Sequence, residues 1–260
     1  MIPADDLPRV DEPAADASGA CVSAPPSARR GRPPSITRDD VARAVLEVGF
    51  RDLTFAAVYD RLGVSENTLF RHVPNRDELV RLGLELALGD VDWPSLEGPW
   101  REVLESYALA AWHGLAAHPG AATESSRGIV PRAILLLMDE LCTVLLHQGF
   151  TVPNAVLACD LVFDLVTDHR RGVENIDALL QGPGPGRNAM HTLWEDAAVT
   201  TPGRAINGCG ASDAGDAEER SLIHEEIQKS IAADPLDWFR DKLHVVLDGV
   251  EHALAPRAPS

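Results

Sequence analysis

Long apolar runs are missing from this chain of 260 residues. The longest, Ala-Ile-Leu-Leu-Leu-Met at 133–138, falls well short of the roughly 20 residues that a membrane-spanning helix needs. The opening, MIPADDLPRVDEP, has no basic start followed by an apolar core and does not read as a secretory signal. Cysteine is scarce too. Cys21, Cys142, Cys159 and Cys209 fall at no paired spacing, which suits reduced thiols in a cytoplasm better than a disulfide or zinc framework. Aromatics make up 5% and alternating β-branched stretches are few, while Ala and Leu abound, so the expected fold class is all-α. Catalytic signatures are equally absent: no HExxH, no phosphate loop, no nucleophile motif and no metal-ligand spacing. The chain reads as a non-enzyme that needs no cofactor or metal.

A surplus of positive charge is also lacking, since the formal net charge is −17. The deficit is uneven, however. Residues 29–82 hold ten Arg against eight acids, and the stretch from Arg29 to Arg38 holds four Arg and no acid. Exposed charges further apart than about 8 Å are largely screened at physiological salt. A local basic zone can therefore meet a polyanion despite the acidic whole.

Start and stop signals divide that zone into short helices. Thr37, Thr54, Ser65 and Asn75 each stand where an N-cap belongs. Val41, Ala44, Val45 and Val48 recur at helical spacing after the first, Val58 and Leu62 after the second, and Leu79, Leu82 and Leu86 after the fourth, while Gly49 and Gly63 close the first two. Longer helices are expected at 97–117, 129–149, 152–175, 218–232 and 235–254, with short ones near 119–125 and 189–198. Residues 1–28, rich in Ala, Pro, Asp and Ser, read as a disordered tail. The Gly-rich stretch from 181 to 217 reads as a long loop that could gate a pocket.

The third short helix carries the chemistry. With Leu69 facing inward and about 100° per residue, Val73 and Glu66 fall on the buried side or its edge. Asn67 and Arg71 face away, flanked by Thr68 and Phe70. Arg reads guanine and Asn adenine in the major groove, and a Thr methyl or a Phe ring can meet a thymine methyl. With the helix and glycine turn before it, this is a helix-turn-helix pattern. A plain surface helix at the edge of a bundle is the alternative on the helix alone.

The run GRPPSITRDDVARAVLEVGFRDLTFAAVYDRLGVSENTLFRHVPNRDELV decides between them. It resembles the DNA-binding domain of the TetR family of transcriptional regulators over roughly residues 31–82. The resemblance implies a basic arm holding Arg30 and Arg32, suited to a narrow minor groove, with a disordered basic tail as the alternative. It implies a phosphate contact at Thr54, and Ser65, Glu66, Asn67, Thr68 and Arg71 in or beside the major groove. His72 and Arg76 stand where the family places backbone contacts, although a packed imidazole serves equally for His72. Phe70 occupies the usual Tyr position without its hydroxyl. Ala56 and Ala57 stand where relatives often carry a basic residue.

The resemblance thus implies an N-terminal three-helix helix-turn-helix domain at 29–82 and a larger helical ligand-binding and dimerisation domain at 83–260. The protein is then expected to be a cytoplasmic homodimer that binds an inverted-repeat operator in double-stranded DNA. As a repressor it would be released by a small-molecule effector. A helical protein-interaction module, or an enzyme with a vestigial reader head, is the alternative. In the last helix Leu236, Phe239, Leu243, Val246 and Val250 form a 3-4 seam suited to pairing between subunits, with packing inside one subunit as the alternative. The helix at 129–149, apolar nearly all round, is expected to be central. Pocket candidates are Trp112, His113, Met138, His147, Thr167 and Asp168, each of which could instead be core or solvated surface. The stripe Asp160, Asp164, Asp168, Arg171 is expected to face water.

Overall fold

The structure, a computed structural model, describes residues 36–181 and 214–256. Arg30 and Arg32, the tail at 1–28, the helix expected near 189–198 and most of the loop at 181–217 lie outside the described residues. Every regular element among the described residues is a helix. In chain order these are α1 (Arg38–Val48), α2 (Phe55–Leu62), α3 (Glu66–His72), α4 (Arg76–Gly89), α5 (Trp100–Ala116), α6 (Ala121–Ser125), α7 (Arg132–His147), α8 (Val152–Gln181), α9 (Ala214–Ala232) and α10 (Pro235–Ala253). No described helix is long and apolar enough to cross a membrane.

The first four helices start where their caps put them. The side chains of Thr37, Thr54, Ser65 and Asn75 each accept a backbone N–H of the first turn, satisfying donors that the helix itself cannot pair. Asp40 completes a capping box with Thr37. Those hydrogen bonds, the one from the Thr37 backbone foremost, lower its pKa to about 2. α1 packs on α4 and α2, and α2 packs on α3. Val41, Val45, Phe50, Leu53, Val58, Leu69, Val73 and Leu79 are buried between them. Gly83 sets the α1–α4 approach: a Cβ there would lie 2.4 Å from Val45 Cγ1. A glycine inside a helix costs roughly 0.5–1 kcal/mol relative to alanine, and here it admits the neighbouring helix.

α8 is the axis of the remainder, with α5, α6, α7 and α10 all packed on it. Tyr107, Ala111 and Trp112 of α5, Leu141 and Leu145 of α7, Ala158, Val162 and Val166 of α8 and Phe239, Leu243 and Leu247 of α10 are buried. α5 and α7 begin three residues later than expected, at Trp100 and Arg132, because Pro99 and Pro131 stand as their N-caps with extended backbone. The residue before a proline is pushed out of the helical region.

Two expectations are corrected here. α7 is not central: Leu135 and Leu136 are 59% and 54% exposed, and Leu137, Leu141 and Leu145 alone form its fully buried stripe. The last-helix seam is not left free for a second subunit. Phe239, Leu243 and Val250 are buried within this chain, joined by Leu247, while Leu236 and Val246 are half-buried. Phe239 stacks on Trp112 with ring centres 4.6 Å apart, which fixes that side of α10 against α5 and α8.

Candidate nucleic-acid interface and effector cavity

α3 is held by little and exposes much. Leu69 is its fully buried residue, with Val73 just beyond its end. Asn67, Phe70 and Arg71 are exposed, and Thr68 and His72 are half-buried. Glu66, expected on the buried side or its edge, is exposed as well. Ser65 Oγ lies 2.9 Å from Thr68 Oγ1 and accepts the Thr68 N–H, so both hydroxyls are held at the start of the helix. Thr54 Oγ1 accepts the Ala57 N–H at the start of α2. Phe70 stacks on Phe55 of α2, centres 4.5 Å apart and rings 13° from parallel. That stack fixes α3 on α2 and leaves Phe70 42% exposed. Phe55 was not singled out from the sequence, where it reads as one more apolar residue after a cap.

The arginines around this surface are engaged differently. Arg38 and Arg81 pair with Glu78, Arg43 with Asp40 and Arg61 with Glu47. Arg71 has no carboxylate partner among the described residues. Its Nε donates to the Asn67 carbonyl at 3.2 Å, one turn back, and its terminal nitrogens have no hydrogen-bond partner among the described residues. Arg76 is a correction. It does not face outward for a phosphate but makes a two-pronged pair with Glu124 of α6, at 2.9 and 2.6 Å. Glu124 is buried, and its hydrogen bonds to Arg76 raise the guanidinium pKa further.

α6 is therefore a junction. Its first turn is capped by Glu174 of α8, a buried carboxylate that accepts the N–H groups of Ala122 and Thr123 and the Thr123 hydroxyl at 2.9–3.2 Å. The Glu174 carbonyl accepts Arg51 Nη2 from the α1–α2 connection. Gly120, at φ 96°, lies so close to the same connection that a Cβ would sit 3.0 Å from the Arg51 nitrogen. Neither Glu124 nor Glu174 carries a sequence signal, since both read as helix-surface acids.

Directly after α6 the chain enters the wall of a cavity of about 810 Å³. Ser125, Ser126 and Ile129–Pro131 line one side, Ile134, Leu135 and Met138 of α7 another, and Leu88 of α4 and Leu115 of α5 the floor. α8 contributes Asp160, Asp164, Thr167, Asp168 and Arg171, and α10 contributes Lys242. Of the residues expected in a pocket, Met138, Thr167 and Asp168 line this one. Trp112 is instead a core residue, buried between Phe239, His169 and the Arg170 guanidinium. His113 and His147 sit exposed on the outer faces of α5 and α7. Asp160, Asp164 and Asp168 of the acidic stripe are exposed, as expected of a stripe that faces water, and they border this cavity as well.

No protein-family model matches the chain. It is 31% identical over 98 residues to an HTH-type transcriptional regulator of Saccharopolyspora erythraea, covering 36% of this chain and 42% of that protein. It is 29% identical over 144 residues to the HTH-type transcriptional repressor DrrR1 of Streptomyces coeruleorubidus, covering 51% and 52%. The chain thus spans about half the length of the curated relatives it matches. The crystal structure of the Streptomyces coelicolor TetR family protein ActR in complex with actinorhodin superposes at a TM-score of 0.67, covering 86% of this chain and all of that one at 18% identity. The fold is that of the TetR family. In that fold α1–α3 take the place of the helix-turn-helix, and α4 joins them to the helical body.

Proposed function

We propose that the protein is a DNA-binding transcriptional repressor that a small molecule releases from its operator, acting as a homodimer in the cytoplasm. The observation that carries this is Arg71. It lies beside Asn67 on the open face of α3 with no carboxylate to hold it, while the four arginines at 38, 43, 61 and 81 are paired. An exposed Arg and Asn at this spacing can reach guanine and adenine edges. Ser65, Glu66 and Thr68 then lie in or beside the major groove with them, Thr54 and His72 contact the DNA backbone, and the arm with Arg30 and Arg32 follows the minor groove. The division at residues 82 and 83 falls inside α4, which belongs to reader and body alike. Regulation rather than catalysis is supported by the relatives, both transcriptional regulators.

Effector response follows from the connections of α4. Its first residue is tied to α6 through Glu124, and Leu88 near its last turn lines the cavity. A ligand that fits the cavity better in one setting of α4 than another shifts the reader by that difference in affinity. An inverted repeat calls for a two-fold protein. With Phe239 and Leu243 committed to the core, the dimer face is the outward side of α8 and α10, where Val156, Leu157, Leu161, Trp238 and Val245 are exposed.

A mobility-shift titration on the DNA upstream of the gene tests the reading. Salt-sensitive binding of a dimer is expected, and Glu124→Ala is expected to bind the operator while losing effector response. A protein that binds no DNA at low salt, or remains 28 kDa in sedimentation, is not this regulator.

A further inference from the structure

Resting on the reading of the cavity as an effector site, we infer that its ligand is an amphipathic organic cation. An apolar body bears an amine-class positive group held by Asp160 and Asp164, and its other end carries a hydrogen-bond acceptor near Thr167 and Lys242. The first ground is the account of charges along the wall. Arg171 is paired with Asp168. The Lys242 ammonium lies 3.1 Å from His169 Nδ1 and over the Trp238 ring. His169 adds no charge near neutrality, because burial, and then Lys242 itself, pushes its pKa down to about 4. Both lining cations are thus engaged, whereas Asp160 and Asp164 have no hydrogen-bond or ion-pair partner among the described residues. They stand one turn apart on α8, about 6 Å along the axis, where like charges repel. A ligand cation between them would relieve that repulsion.

The second ground is the opposite wall. Ile134, Leu135 and Met138 face α8 across the cavity with no polar side chain among them. Leu135 on this wall is 59% exposed, so an apolar ligand body that covers it takes that surface out of water. Volumes of roughly 300–1,000 Å³ suit small organic ligands, and this one holds about 810 Å³. A metal ion would leave most of that space unfilled. Lys242 uses one of the three donors of an ammonium on His169 and keeps others for a carbonyl or hydroxyl. From Asp160 to Thr167 the helix rises about 10 Å, which sets the separation of the ligand's two polar ends.

Two dyes serve as probes of the full chain by fluorescence polarisation: cationic rhodamine 6G and anionic 1-anilinonaphthalene-8-sulfonate. The cation is expected to bind about tenfold or more tighter than the anion, from two charge-assisted contacts, and to lose that advantage in the Asp160→Asn/Asp164→Asn double variant. Both positions are exposed, so folding is expected to survive, which unchanged binding of the anionic dye would verify. Ile134→Trp, which fills the cavity, is expected to block both dyes. Equal binding of the two dyes, unaltered by the double variant but blocked by Ile134→Trp, would overturn the cationic assignment and leave the effector cavity standing. Dye binding that survives Ile134→Trp, or no binding of either dye, would overturn both.

Discussion

The first four helices and three of the body, α5, α6 and α7, satisfy their first N–H groups in opposite ways, while α8 and α10 keep local caps at Thr151 and Asp234. Thr37, Thr54, Ser65 and Asn75 cap α1–α4 with their own side chains, within three residues. α5, α6 and α7 have no such cap. Their first N–H groups go to Gln148, Glu174 and Glu85, at separations of 48, 52 and 48 residues. Helices of 7 to 14 residues are marginal alone, since isolated ones below roughly 12–15 residues rarely persist in water, and local caps define their ends. The body helices are packed all round α8, and tertiary partners can finish them. The first four helices are thus specified locally, whereas the starts of α5, α6 and α7 depend on residues far along the chain.

The severest break of this contrast is Phe239→Ala. Removing the ring that stacks on Trp112 is expected to cost about 3–5 kcal/mol in urea denaturation. The loss should not depend on protein concentration, as it would if Phe239 lay between subunits. Glu174→Ala comes next. It strips an acceptor from two N–H groups and a hydroxyl, for about 2–3 kcal/mol, and hydrogen exchange should rise first in α6. In the reader, Arg71→Ala is expected to leave the melting temperature unchanged while costing about 1–3 kcal/mol per half-site in operator binding. Equal binding to every operator variant would show that α3 is not the reader. Ser65→Ala, a purely local cap, is expected to cost about 1 kcal/mol with exchange raised in α3 alone; an equal rise in the body would break the contrast.

A further test is one of pH. The His169 pKa is lowered in the folded chain to about 4, mainly by burial, below the ordinary imidazole value near 6.5. Protons then bind the unfolded chain more readily, so the contribution is fully present above about pH 6.5 and is lost as pH falls toward 4. His169→Asn is expected to flatten that part of the stability profile, and an unchanged profile would assign the acid sensitivity elsewhere.

Much of the reader was legible in the residues: its four caps, its inward Leu69 and Val73, and the outward Asn67 and Arg71. These depend on period and capping, which act within a few positions of the chain. The arrangement of acids and aromatics in three dimensions was not legible. Glu124, Glu174 and Phe55 look like ordinary helix residues until their partners appear. The seam through Phe239 and Leu243 was legible as an apolar face, but its partner was not. An apolar stripe records that something must cover it, and the same spacing serves a neighbour in the chain or in a second copy. α7 taught the converse, since an all-round apolar sequence left Leu135 and Leu136 open to a cavity and to solvent. Local residue pattern was enough to make the described chain helical, to set where its short helices begin, and to choose which side chains the third one presents. Tertiary structure alone decided that Arg76 grips Glu124 and that Asp160 and Asp164 border a cavity. Pairing between residues tens of positions apart depends on how the helices pack, and no local pattern encodes it.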